Sequence, residues 1–216
     1  VCRQKWKKRF FSDSKFYKKR LKRKMTNHYE RTLELKALNK DLARMTAGHN
    51  IFGTLTFSRG FTESDKFSAS TKGKLADDMH RGFWQRIDRT YYSKKAVAEG
   101  VRISRVCFKH FGSAGTNNHY HFTAKADYAE FAILAKQMWL RSGALTGKIQ
   151  IETIRDWKDA YHYLGHEYVE IGGKSFDERT THWDVSAVDN NKHKNISQLR
   201  RLLKATDVDL SIGASV

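Results

Sequence analysis

His119 and His121 stand one residue apart, on either side of Tyr120, in a run of aromatic and β-branched residues. That composition predicts a strand, and alternate side chains of a strand share a face, so the two imidazoles project the same way from neighbouring pleats. Two imidazoles so placed can hold one divalent ion. Tyr120 and Phe122 then point to the opposite face, where helices can cover them. His110 ends the preceding strand, and the turn that follows brings the chain back beside His119. A bulge would invert its face, so the third ligand is open between His110 and Glu152 on a neighbouring strand. Cys2 and Cys107 are too few for a thiolate zinc site or a disulfide framework. Any metal must therefore be held by histidine with carboxylate or amide groups.

The second chemical candidate is a tyrosine. Over residues 156–168, Trp157, Tyr161, Leu164 and Tyr168 follow helical spacings and form one apolar stripe. Tyr161 on that stripe is expected to pack in the core. Tyr163 lies two residues on, about 200° round the helix, on a face shared with Asp159, His166 and Glu167. Tyr163 is thus the tyrosine offered to a polar site. A phenol is a poor nucleophile at its ordinary pKa of about 10. A divalent ion helps by polarising a scissile phosphate and offsetting charge in the transition state. Mg2+ or Mn2+ suits such phosphoryl transfer. The product, a phosphotyrosine, keeps the energy of the phosphodiester, so a 3′-hydroxyl can later reverse the step.

The elements that would position these residues can be read from periodicity. Residues 51–57 read as a strand, and residues 74 to about 95 have helical spacing through Leu75, Met79, Phe83, Ile87 and Tyr91. A second strand spans 101–111, a glycine- and asparagine-rich turn 112–118, and a third strand 119–124. Asp127 can cap a helix that runs to Leu140 and stops before Gly143. Residues 148–154 alternate as a fourth strand, and a further helix runs from Asp156 to near Gly172. The order β-α-β-β-α-β-α implies an α+β domain, an antiparallel β-sheet with flanking helices. The expected division is a basic N-terminal arm (1–44), this α+β domain (45–175) and a C-terminal tail with a short basic helix (176–216).

The 216 residues carry a formal net charge of +18, which points to a polyanionic partner through counterion release. Basic clusters interleaved with aromatics lie in the arm, at Lys7, Lys8 and Arg9 and at Lys18, Lys19, Arg20, Lys22, Arg23 and Lys24. They suit tracking of phosphates along a single strand with stacking side chains. A membrane partner is not expected: the pattern is not amphipathic, and the longest apolar stretch falls short of the roughly 20 residues a span needs. No apolar signal segment opens the chain, so an intracellular location is expected. With no proline in the chain, turns must rely on glycine and asparagine.

Three motifs in order carry a resemblance. Phe52-Gly-Thr-Leu-Thr-Phe57 resembles the first motif of the HUH endonuclease superfamily, His119-Tyr120-His121 its histidine-hydrophobic-histidine metal motif, and Tyr163-Leu164-Gly165-His166 its Tyr-x-x-Lys motif. The match covers roughly residues 48–172 and is nearest to the rolling-circle replication initiators of plasmids, phages and single-stranded DNA viruses. The resemblance implies metal-dependent nicking and joining of single-stranded DNA at an origin or hairpin, with Tyr163 as nucleophile and His166 in the place of the helper lysine. It also implies a site in the bacterial cytoplasm, or in the nucleus for a eukaryotic virus. Unwinding would fall to a separate host helicase, since no phosphate-binding loop follows residue 180. With His110 the metal set would have three histidines, as in conjugative relaxases.

Other readings differ in class. A single-tyrosine transposase or a relaxase would use the same chemistry. Phosphodiesterases with paired His-x-Thr motifs need a second copy of His121-Phe122-Thr123, which does not occur. A non-catalytic basic nucleic-acid-binding protein would need neither the metal nor Tyr163.

Overall fold

A computed structural model describes residues 28–62, 68–112, 118–143, 145–171, 175–183 and 193–204. The basic clusters from Lys7 to Lys24 lie outside these described residues. In chain order the elements are α1 (His28–Met45), β1 (Ile51–Phe57), α2 (Arg59–Thr62), α3 (Ala69–Tyr91), α4 (Lys94–Ala98), β2 (Ser104–His110), β3 (His119–Lys125), α5 (Tyr128–Leu140), β4 (Thr146–Thr153), α6 (Trp157–Ile171) and α7 (Ile196–Lys204). The fold is α+β. Its four strands form one sheet in the order β2-β3-β1-β4, with every pair antiparallel.

The two faces of the sheet do different work. On one face Ile51, Leu55, Phe57, Cys107, Tyr120 and Phe122 meet Phe83, Trp84 and Ile87 of α3 and Phe131, Leu134 and Trp139 of α5. Burial of this many large side chains is the main source of stability. On the other face Val106 and Phe108 meet Leu38, Leu42 and Met45 of α1 and Leu164 of α6. That second cluster is smaller and leaves the adjoining part of the face open. The tyrosine helix lies over this face.

Local chemistry explains the ends of the elements. Asp127 caps α5 by accepting from Glu130 N at 3.0 Å. Helix α3 begins at Ala69, earlier than its apolar spacing suggests, because Ser68 caps it through Thr71 N. It ends at Tyr91, before Ser93 turns the chain at φ 90° and a short α4 follows. Strand β2 starts only at Ser104, since Val101 N is still engaged by Ala96 O.

Packing moves the outlines of the domain. Helix α1 occupies much of the stretch read from its charge as an arm, yet Leu38, Leu42 and Met45 are buried against the sheet and α6. Residues 175–183 and α7, read as a tail, also pack: Phe176 enters the second cluster and Leu199 the first. Residues 175–183 lie along the outer edge of β2. There Lys109 N donates to Ser175 O, Asp177 N to Cys107 O, and Arg105 and His182 exchange backbone bonds. Covering an edge in this way blocks pairing with another chain. Among the described residues, no helix is long and apolar enough to cross a membrane.

Candidate metal centre

Strands β2 and β3 pair without interruption from Ser104↔Lys125 to His110↔His119. Directly paired residues share a face, so His110 stands on the face of His119 and His121. On the other side Thr54 of β1 pairs with His121, and Thr56 with His119. The three imidazoles converge: ring centroids lie 5.3 Å apart for His110–His119, 4.6 Å for His110–His121 and 4.8 Å for His119–His121. One nitrogen from each falls within 4.8 Å of the others. Imidazole nitrogens bound at about 2.1 Å to one ion lie roughly 3–3.5 Å apart, a gap that small ring rotations close.

At two of the rings a neighbouring oxygen occupies one nitrogen, and at His110 it also assigns the proton. His110 Nε2 lies 3.2 Å from Leu164 O; a carbonyl only accepts, so Nε2 carries hydrogen and the neutral ring keeps its lone pair on Nδ1. His121 Nδ1 lies 2.9 Å from Thr54 Oγ1, which leaves Nε2 as the nitrogen turned to an ion. An oxygen partner on the outer nitrogen is the usual companion of a metal-binding imidazole. The residues present fit a divalent ion.

Glu152, the other candidate for third ligand, does not join this group. It pairs with Phe52, and Phe52 in turn with Thr123. Two strand spacings, about 10 Å, therefore separate its backbone from that of β3. Its exposed side chain accepts from Gln150 Nε2 instead.

Helix α6 brings the tyrosine. Tyr163 is 56% exposed, and its ring sits edge-on to His121 with centroids 5.9 Å apart and to Phe52 at 6.2 Å. Tyr161 instead packs in the second apolar cluster, against Trp157, with its hydroxyl 3.3 Å from Thr46 Oγ1. Two residues beyond Tyr163, a Cβ on Gly165 would lie 2.8 Å from Leu38 Cδ2, so a larger residue there would have to displace the end of the Leu38 side chain. The side chain of His166 lies outside the described residues. Beside Tyr163 a groove of about 960 Å3 runs across β1 and β4, lined by His119, His121, Phe52, Glu152, Asp159 and Tyr128 among others.

Glu167 departs from its sequence reading as a member of Tyr163's open face. It is 6% exposed and accepts from the backbone N–H groups of Phe111 and Gly112 at 2.7 and 3.0 Å. Its spacing from Tyr163 alone could not reveal this, because the partners come from another element. Thr54 was likewise missed; its alternation with Phe52 and Thr56 places it on the right face, but only the β1–β3 register puts it beside His121. Two further buried histidines stand apart from the triad. His80 accepts from Trp84 Nε1 and donates through Nδ1 to Asp177, so it is neutral. Burial, helped by the charge of Lys125, lowers His49 to about 3.

No family model matches the chain, and neither curated proteins nor solved structures include a significant match to it.

Proposed function

We propose that the protein is a metal-dependent endonuclease that nicks and rejoins single-stranded DNA through Tyr163, as an initiator of rolling-circle replication. The single observation that carries this reading is the edge of Tyr163 set against His121, one member of a three-histidine cluster, at the wall of an open groove. The resemblance to the HUH endonucleases adds the substrate and the direction of the chemistry.

His110, His119 and His121 would hold Mg2+ or Mn2+, His110 through Nδ1 and His121 through Nε2. The ion, when bound, polarises the scissile phosphate and offsets its developing charge. Tyr163 Oη forms the new bond to phosphorus, the bond from phosphorus to the 3′ oxygen breaks, and the phenolic proton is balanced by the one taken up at the released 3′-hydroxyl. The 5′ end stays on Tyr163 as a phosphodiester, and attack by a 3′-hydroxyl reverses the step. The Leu164 carbonyl would keep His110 in its ligating tautomer, and Thr54 would accept from His121 Nδ1 when an ion is on Nε2. Phe52 gives the groove an aromatic wall on which a base can stack. The basic clusters around Lys7 to Lys24 would hold the phosphate backbone, and His166 would take the position of the helper lysine.

Incubation with a pool of single-stranded oligonucleotides and Mn2+, followed by denaturing gels, tests the reading. The expected outcome is a covalent adduct that EDTA prevents, that Tyr163→Phe abolishes and that Tyr161→Phe retains. An adduct that survives Tyr163→Phe would overturn it. The three-histidine set favours a relaxase as the second reading, and sequencing the captured DNA separates a replication origin from a transfer origin.

A further inference from the structure

We propose that Glu167 is a positioning residue that couples the histidine centre to the tyrosine helix, so that binding of the ion and docking of α6 are one equilibrium. The premise is geometric; its consequence for catalysis rests on the nicking reading above.

A carboxylate taken out of water is costly unless its oxygens are hydrogen-bonded. Glu167 lies one turn beyond Tyr163 on α6, and both its oxygens accept. Oε2 receives Phe111 N at 2.7 Å and Oε1 receives Gly112 N at 3.0 Å. Successive N–H groups of a strand point to opposite edges, so two that converge on one carboxylate mark the place where β2 stops. Gly112 then turns the chain away at φ 69°. His110 is the last residue of β2, and Glu167 therefore clamps the backbone immediately beyond it. Oε1 also lies 4.0 Å from His110 Nδ1, the nitrogen that would face the ion.

A second link joins the same two segments. His110 Nε2–H donates to Leu164 O, the carbonyl of the residue next to Tyr163. Residues 110–112 thus donate three hydrogen bonds to residues 163–167, two to the Glu167 carboxylate and one to the Leu164 carbonyl. An ion held by His110 Nδ1 fixes the ring, and the fixed ring holds the Leu164 carbonyl and with it the turn that carries Tyr163. By linkage, whatever factor docking of α6 adds to ion affinity, the ion returns to docking.

The test uses the full chain with Mn2+ alone and no DNA. Calorimetry gives the affinity for Mn2+, and hydrogen exchange of residues 157–171 with and without Mn2+ gives the docking. In the parent chain Mn2+ should slow exchange in this helix. Glu167→Ala is expected to weaken Mn2+ by about 10- to 100-fold and to lose the ion-dependent slowing. Glu167→Gln, which keeps one accepting oxygen, should recover part of both, and it carries the test alone if the alanine variant does not fold.

A Glu167 variant that melts earlier but keeps parental Mn2+ affinity and parental ion-dependent protection would overturn the proposal, as would a parent chain that takes up no Mn2+. Coupling without any DNA adduct would instead sink the nicking reading and leave this one standing.

Discussion

At His121 and His110 a neighbouring oxygen decides which nitrogen remains for chemistry. The Leu164 carbonyl can only accept, so His110 is settled by geometry alone. Thr54 Oγ1 could either donate to or accept from His121 Nδ1 at 2.9 Å, and an ion on Nε2 would hold the accepting arrangement in place. Thr54→Val keeps the shape of the side chain but removes this oxygen. It is expected to weaken Mn2+ about 10-fold or more while leaving the fold intact, as calorimetry and a melting curve would show together. Unchanged Mn2+ affinity would remove Thr54 from the site. The exposure of Tyr163 and its edge contact with His121 place its ring at the groove.

At the scale of elements, the site depends on how α6 lies on the open half of the sheet. Leu164 anchors that helix in the second apolar cluster, and Gly165 lets α1 approach its outer side. Gly165→Val would gain helix propensity, but its branched side chain would meet Leu38 and Leu35. Overpacking of this kind costs about 1–3 kcal/mol, more than the roughly 0.5–1 kcal/mol by which glycine is disfavoured in a helix. A lower urea midpoint together with reduced adduct formation is the expected result. A valine variant as stable as the parent would mean that α1 and α6 are less tightly matched than their closest atoms suggest. Residues 175–183 serve the opposite edge, where they engage Arg105, Cys107 and Lys109 of β2 and leave the groove uncovered.

For the whole molecule, buried histidines tie stability to pH. His49 is enclosed, with Thr123 Oγ1 at 3.0 Å from Nδ1 and Ser104 Oγ at 2.9 Å from Nε2. Burial, with Lys125 nearby, holds it neutral down to about 3, whereas the unfolded chain takes up the proton near the ordinary value of 6.5. Between those values the unfolded state binds more protons, so stability rises with pH. The contribution is complete above the unfolded value and is lost at about 1.4 kcal/mol per pH unit as pH falls below it. His80, also lowered by burial, acts in the same direction. Urea midpoints at pH 7 and pH 5 should therefore fall with acid, and His49→Gln should show a shallower fall. Equal slopes for the two chains would mean that His49 is not kept neutral by the fold.

The chemistry-bearing residues were visible in the sequence wherever their meaning depended on local repeat alone. Period-2 alternation put His119 and His121 on one face and Tyr120 and Phe122 on the other, where His80 stacks on Tyr120 and Trp84 meets Phe122. Helical periodicity separated Tyr161, half-buried against Trp157, from Tyr163 at the groove. The Asp127 cap and the ends of β1 and α5 were equally local. Tertiary structure alone placed His110, and not Glu152, beside His119 and His121, because strand register is a long-range choice that one bulge would reverse. It also decided that Glu167 turns inward, that Thr54 stands beside His121, and that α1 packs with the domain rather than with the basic arm. In each case the partner comes from an element distant in the chain. Charge and spacing report what a segment can do, but burial depends on which surface the rest of the fold offers it.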